Sequence, residues 1–220
     1  MPEEGVHAAP MPIDCFALLQ EPRHPWIDAD ALKHRFLKLS AEVHPDRVHQ
    51  ATECEKELAT QTYAGLNAAY NTLREPKDRL VHLTELEIGE RPKDIQRIPP
   101  GTMDLFVEIG QTCRDVDAFL VQRPSVTSPM LRVQLFSKGH QWVETLNRLQ
   151  GTVKAKRDEL DLELRSMNPA WEQAPSEPSE ARRSVLQPYL DRLEQMYRVL
   201  SYVHRWTEQL QQRVVELATG

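Results

Sequence analysis

Apolar residues recur along this chain at three- and four-residue intervals, the period of one helix face, and nowhere alternate as a half-buried strand requires. From Ile13 to Leu19, with Phe16 and Leu19 three apart, the chain forms a short first helix, ended by the prolines at 22 and 25. Asp28 then stands where an N-cap belongs, ahead of ADALKHRFLKLSAEV, in which Leu32, Phe36, Leu39 and Val43 make one apolar stripe. The opposite face carries Lys33, Arg35 and Lys38. Pro45 pushes His44 out of the helical region and supplies no N–H, so this second helix must stop at His44-Pro45-Asp46. Beyond the polar loop RVHQATEC, a third helix from about Glu55 to Arg74 repeats the stripe with Ala59, Tyr63, Leu66, Tyr70 and Leu73, and so is expected to pack antiparallel on the second. Glu75-Pro76 breaks it. Pro76 suits the first turn of a fourth helix, PKDRLVHLTELEI, and Gly89 its C-cap.

The proline-bearing linker ERPKDIQRIPPG follows, and past it the helices lengthen. Phe106, Ile109, Cys113, Val116 and Leu120 line one face up to about Val121, where RPSVTSP interrupts the chain. A long segment from Met130 to Met167 places Leu135, Trp142, Leu146, Leu149, Val153 and Leu160 at near-heptad spacing, with Gly139 and Gly151 as local weak points. After a predicted loop, NPAWEQAPSEPSE, a last helix presents Leu186, Leu190, Leu193, Tyr197, Leu200, Thr207, Val214 and Leu217. The expectation is an all-α protein. Residues 1–12 read as a disordered tail, 13–89 as a first helical domain, 90–101 as a linker and 102–220 as a three-helix bundle.

Composition narrows the functions. A formal net charge of −6 gives no broad cationic surface for phosphate backbones or anionic lipid, so neither nucleic acid nor membrane is an expected partner. Cys15, Cys54 and Cys113 lack any Cys-x-x-Cys spacing, and His34, His49 and His82 share no ligand pattern, so no metal, cofactor or disulfide framework is expected. MPEEGVHAAPMP has neither the basic flank nor the apolar core of a targeting signal, and a cytoplasmic location is expected. There is no nucleophile–base set and no Gly-rich phosphate loop, so the chain reads as a binding protein and not an enzyme.

The basic amphipathic helix ending in His44-Pro45-Asp46, with LNAAYNTLREPKDR downstream, is similar to the J-domain signature from about Ile13 to Gly89. Within that family, IDADALKHRFLKLSAEVHPDR and LREPKDRLVHLTELEIG most resemble the HscB type, the J-proteins of iron–sulfur cluster assembly, which also carry a C-terminal three-helix bundle. The resemblance implies a co-chaperone that stimulates the ATPase of a DnaK/HscA-type chaperone and delivers a client, an IscU-type scaffold. Asp46 would then accept charge-assisted bonds from a chaperone arginine while His44 and Pro45 hold the loop, and Arg35, Lys38 and Arg47 would complement an acidic chaperone surface. Glu42 departs from the basic or neutral residue many J-domains keep there.

For the client, the resemblance points to the first bundle helix, here MDLFVEIGQTCRDVDAF. Met103, Leu105, Phe106, Glu108 and Ile109 are the candidate contacts, although Gly110 and Cys113 fall where the family favours glutamate. Core packing is the competing role of Phe106 and Ile109, and Met103 with Leu105 projects away from their stripe. The alternative function is a J-domain adaptor whose bundle serves a different client or self-association. Trp171 and Trp206 read as bundle packing.

Overall fold

The computed structural model of the chain describes residues 13–44, 52–92, 98–99, 101–122 and 128–219, and among them every regular element is a helix. In chain order these are α1 (Cys15–Leu18), α2 (Ala29–Glu42), α3 (Glu53–Arg74), α4 (Pro76–Ile88), α5 (Met103–Gln122), α6 (Pro129–Gln173) and α7 (Glu180–Thr219). No helix among the described residues is long and apolar enough to cross a membrane.

The starts and stops follow local chemistry. Asp28 caps α2 by accepting from Ala31 N at 2.8 Å, and Thr52 and Glu55 bond each other's backbone N–H groups in a capping box that opens α3. Such a cap is worth about 1 kcal/mol. Pro76 occupies the first turn of α4, where its missing N–H has no helical partner to lose. Gly89 ends that helix at φ 81°, a left-handed conformation that glycine adopts without a Cβ penalty.

Two compact units result, one of Met1–Pro92 with Met167–Leu190, the other of Lys93–Ser166 with Asp191–Gly220. In the first, Phe16, Leu19, Leu32, Leu66, Leu73, Leu80 and Leu83 form the core. Phe36 of α2 stacks on Tyr70 of α3 with ring centroids 4.3 Å apart. Arg79 is buried with them, its Nε donating to the Pro25 carbonyl at 2.8 Å and its Nη1 to that of Leu73 at 2.7 Å. A buried charge needs such acceptors to remain ionised inside a core.

The loop expected from Asn168 onward is helical as far as Gln173, with Pro169 inside α6. Tertiary burial overrides the proline there. Asn168 exchanges hydrogen bonds with the Trp26 backbone at 3.1 and 3.0 Å, and Met167, Trp171 and Ala174 are buried. Arg182, at the start of α7, closes this unit by donating from Nε and Nη2 to both carboxylate oxygens of Glu87 at 2.8 and 2.6 Å.

The second unit is an up-down-up bundle of α5, α6 and α7 around Ile109, Val116, Leu146, Leu149, Leu164, Leu193, Leu200, Trp206 and Leu210. Its helices are bridged at their rims by Arg148–Glu108 (2.7 Å) between α6 and α5, a bidentate Arg192–Glu163 pair between α7 and α6, and Arg213–Asp117 (2.7 Å) between α7 and α5. The buried Trp171 and Trp206 are packing residues of the first and second unit respectively.

Candidate functional site

Two surfaces hold the residues singled out in the sequence, one in each unit. On the first, α2 presents Lys33 and Lys38 to solvent, opposite the face that holds Leu32 and packs Phe36 on Tyr70. The helix gives way at Val43, and the half-buried His44 sets its ring edge-on to Tyr63 of α3, centroids 5.3 Å apart at 78°. An aromatic contact of this kind fixes the orientation of the ring. Pro45, Asp46 and Arg47, the remaining residues expected to meet the chaperone, lie outside the described residues.

Arg35 sits on the same helix but is engaged within its own chain. One of its Nη atoms donates to the carbonyl of Gln20, a non-glycine residue held at φ 54°, and its Nε lies 3.1 Å from Glu21 Oε1. That second contact is an ion pair without hydrogen-bond alignment. Burial pushes the Glu21 carboxyl above its ordinary value, and the Arg35 charge pulls it back. Arg35 therefore fastens α2 to the turn after α1, a role its position on the polar stripe does not reveal.

The second surface is the start of α5. Met103, Phe106 and Val107 are 52%, 38% and 56% exposed, an apolar strip at i, i+3 and i+4. Phe106 meets Tyr202 of α7 edge-on at 6.0 Å, and the Arg205 guanidinium lies 5.2 Å from the Tyr202 ring centre. Glu108 is exposed but tied to Arg148. Three expectations change here. Ile109 is 1% exposed, so it belongs to the bundle core and not to a binding surface. Leu105 is half-buried, and Phe106, assigned to the core stripe, is the more exposed of the two.

The reason is a rotation of the buried arc, which runs through Ile109, Thr112, Cys113, Val116 and Phe119 and leaves residues 103, 106 and 107 outside it. Cys113 faces the core, so the acidic side chains available beside the strip are Asp104, Glu108 and, further along, Asp115. Val107 and Tyr202 were missed by sequence reasoning. Val107 had a helical-spacing signal, whereas Tyr202 is brought to Phe106 from 96 positions away only by the bundle register. No group of His, Cys, Asp and Glu among the described residues is arranged to hold a metal ion.

A helical hairpin of α2 and α3, joined in one chain to an up-down-up bundle, is the architecture of J-domain co-chaperones of the HscB type. The chain resembles those proteins in sequence and in fold. It is 39% identical over 77 residues to the co-chaperone protein HscB homolog of Paraburkholderia phytofirmans, covering 34% of this chain and 44% of that one. To the homolog of Ralstonia nicotianae it is 29% identical over 104 residues, covering 47% and 59%. The chain thus spans about half the length of the curated relatives it matches. Among solved structures, human co-chaperone HscB superimposes with TM-score 0.57 at 22% identity, over 93% of this chain and 84% of that one. HscB from Vibrio cholerae gives 0.59 at 19%, over 90% and 95%. At these identities the structural likeness establishes the fold. No family model matches the chain.

Proposed function

We propose that this chain is an HscB-like co-chaperone that stimulates the ATPase of a DnaK/HscA-type chaperone through its N-terminal hairpin and carries an IscU-type iron–sulfur scaffold on its bundle. The supporting observation is the convergence, at the end of α2, of a basic helix face, a stop at His44 braced by Tyr63, and sequence similarity to HscB homologs. Hydrolysis takes place in the chaperone, so the chain's own residues bind and orient. Asp46 accepts from a chaperone arginine, Pro45 fixes the turn, and Lys38 with Arg47 draws the acidic partner in, while Arg35 holds α2 in place. On the bundle, Met103, Phe106 and Val107 supply the apolar anchors and Asp104 and Glu108 the polar rim, with Leu105 a supporting half-buried neighbour. The short acidic complement beside the strip is what favours the second reading, a J-domain adaptor for another client.

The test is single-turnover ATP hydrolysis by a cognate chaperone with and without this protein. Asp46→Asn and His44→Gln are expected to abolish stimulation while circular dichroism and melting stay near wild type, and full stimulation by Asp46→Asn refutes the docking assignment. Calorimetric titration against an IscU-type scaffold decides the client: no binding by the wild-type protein leaves the adaptor reading.

A further inference from the structure

The α5 strip is joined to the core of its unit by a row of rings. Trp206, buried in the bundle, meets the half-buried Tyr202 at 5.6 Å, and Tyr202 in turn meets Phe106 edge-on, so the row climbs from the core to the surface along the seam of α5 and α7. Two exposed guanidiniums lie on that seam. Arg205 stands 5.2 Å from the centre of the Tyr202 ring. Arg114 folds back over Gly110, its Nη1 3.7 Å from where a Cβ would be, and Gly110 follows Phe106 and Val107 on the same side of the helix at i+4 and i+3.

Both cations are held in place by neutral groups. Arg114 donates from Nη2 to the Gln111 side-chain oxygen at 2.7 Å, Arg205 rests against an aromatic ring, and neither has a carboxylate partner among the described residues. Elsewhere in the bundle Arg148, Arg192, Arg198 and Arg213 each reach a carboxylate at 2.6 or 2.7 Å. The acids beside the seam are engaged, Asp117 with Arg213, Asp115 with the Gln111 amide, and Glu208 at 3.3 Å from His204. Glu108 lies on the opposite flank, which Arg148 of α6 reaches, and Asp104 precedes it by one turn on that flank. The strip is therefore cationic toward α7 and anionic toward α6, a polarity that fixes the direction in which a partner can lie. A guanidinium already oriented loses little freedom on meeting a carboxylate and gains a charge-assisted bond.

We propose that Arg114 and Arg205 are specificity-determining residues of the client surface, selecting a client protein whose apolar contact residue is flanked by Asp or Glu on the α7 side; this rests on the assignment of the α5 strip to the client. Calorimetric titration of the full-length protein against the cognate IscU-type scaffold, at low and at high salt, tests it. Arg114→Glu with Arg205→Glu should weaken binding at least tenfold at low salt and by less at high salt, with the melting temperature unchanged. Among scaffold variants that each carry one surface Asp or Glu changed to Lys, at least one should bind the charge-reversed protein better than it binds the wild type. Arg205→Glu alone replaces the pair if the double variant melts early. Unchanged or tighter binding by the charge-reversed protein, while Met103→Ala with Phe106→Ala still weakens it, overturns the proposal and leaves the strip as the client site. So does the failure of every scaffold variant to restore binding. A scaffold that the wild-type protein does not bind overturns both.

Discussion

Removing the carboxylate from Glu87 should destabilise the first unit strongly, because Arg182 would be left charged and nearly dry. The Arg182 and Glu87 side chains are 9% and 5% exposed, and the guanidinium makes two bonds to the carboxylate and a third to the Pro175 carbonyl at 2.8 Å. Breaking a buried pair from one side costs about 3–5 kcal/mol, against about 0–1 for an exposed pair. At about 2–4 °C per kcal/mol for a chain of this size, Glu87→Ala should lower the melting temperature by roughly 6–20 °C. Arg182→Met alone strands Glu87 and should cost a comparable amount, whereas Glu87→Leu with Arg182→Met leaves no charge buried and should recover most of the loss. The assay is a thermal and urea double-mutant cycle followed by circular dichroism. A loss below about 1 kcal/mol for Glu87→Ala, or additive effects of the two changes, refutes the claim that this pair fastens α4 to the start of α7.

Other outcomes follow from single sites. Lys38→Glu should slow chaperone association by about two- to tenfold at low salt, with the difference shrinking as salt rises; a salt-independent loss would indicate damage to the fold. Met103→Ala with Phe106→Ala should weaken scaffold binding at least tenfold with little change in melting, while Ile109→Ala, at a core position, should cost about 2–5 kcal/mol of stability. His82 accepts the Cys15 N–H through Nε2 at 3.0 Å in its neutral form, and burial holds its pKa below the ordinary 6.5, with Asp14 and Glu85 pulling upward and Arg23 and Arg91 downward. The unfolded chain then binds the proton more readily, so stability should fall as pH drops below about 6.5, and His82→Gln should flatten that slope in pH-dependent melts; His24, shifted the same way by burial, calls for the double variant as control.

Local rules carried most of the fold. Asp28, Pro76 and Gly89 do in the structure what their chemistry predicts, and the stripes through Leu32, Leu66 and Leu73 and through Leu146, Leu149 and Leu160 are buried as the spacing requires. What escaped was decided by residues far apart in the chain. Pro169 looked like a helix stop because nothing near it reveals that Asn168 meets the Trp26 backbone 142 positions away. Arg35's hold on the chain before its helix was hidden because its acceptors, Gln20 and Glu21, belong to a turn that precedes that helix.

The α5 strip shows why a binding surface is harder to read than a core. Helical spacing from Phe106 through Ile109, Cys113 and Val116 fits one stripe well, yet an arc rotated by one position, adding Thr112 and Phe119, fits nearly as well. Which arc is buried depends on where the apolar faces of α6 and α7 press, with Arg148 on Glu108 and Arg213 on Asp117 bridging the rims of those contacts. The rotation moves Phe106 to the surface, where Tyr202 braces it edge-on, and leaves Ile109 inside. A small shift in which residues pack thus changes which residues can meet a partner. Phe106 is 38% exposed and Ile109 1%, so substitutions of the two, three positions apart, should separate the proposed binding from stability.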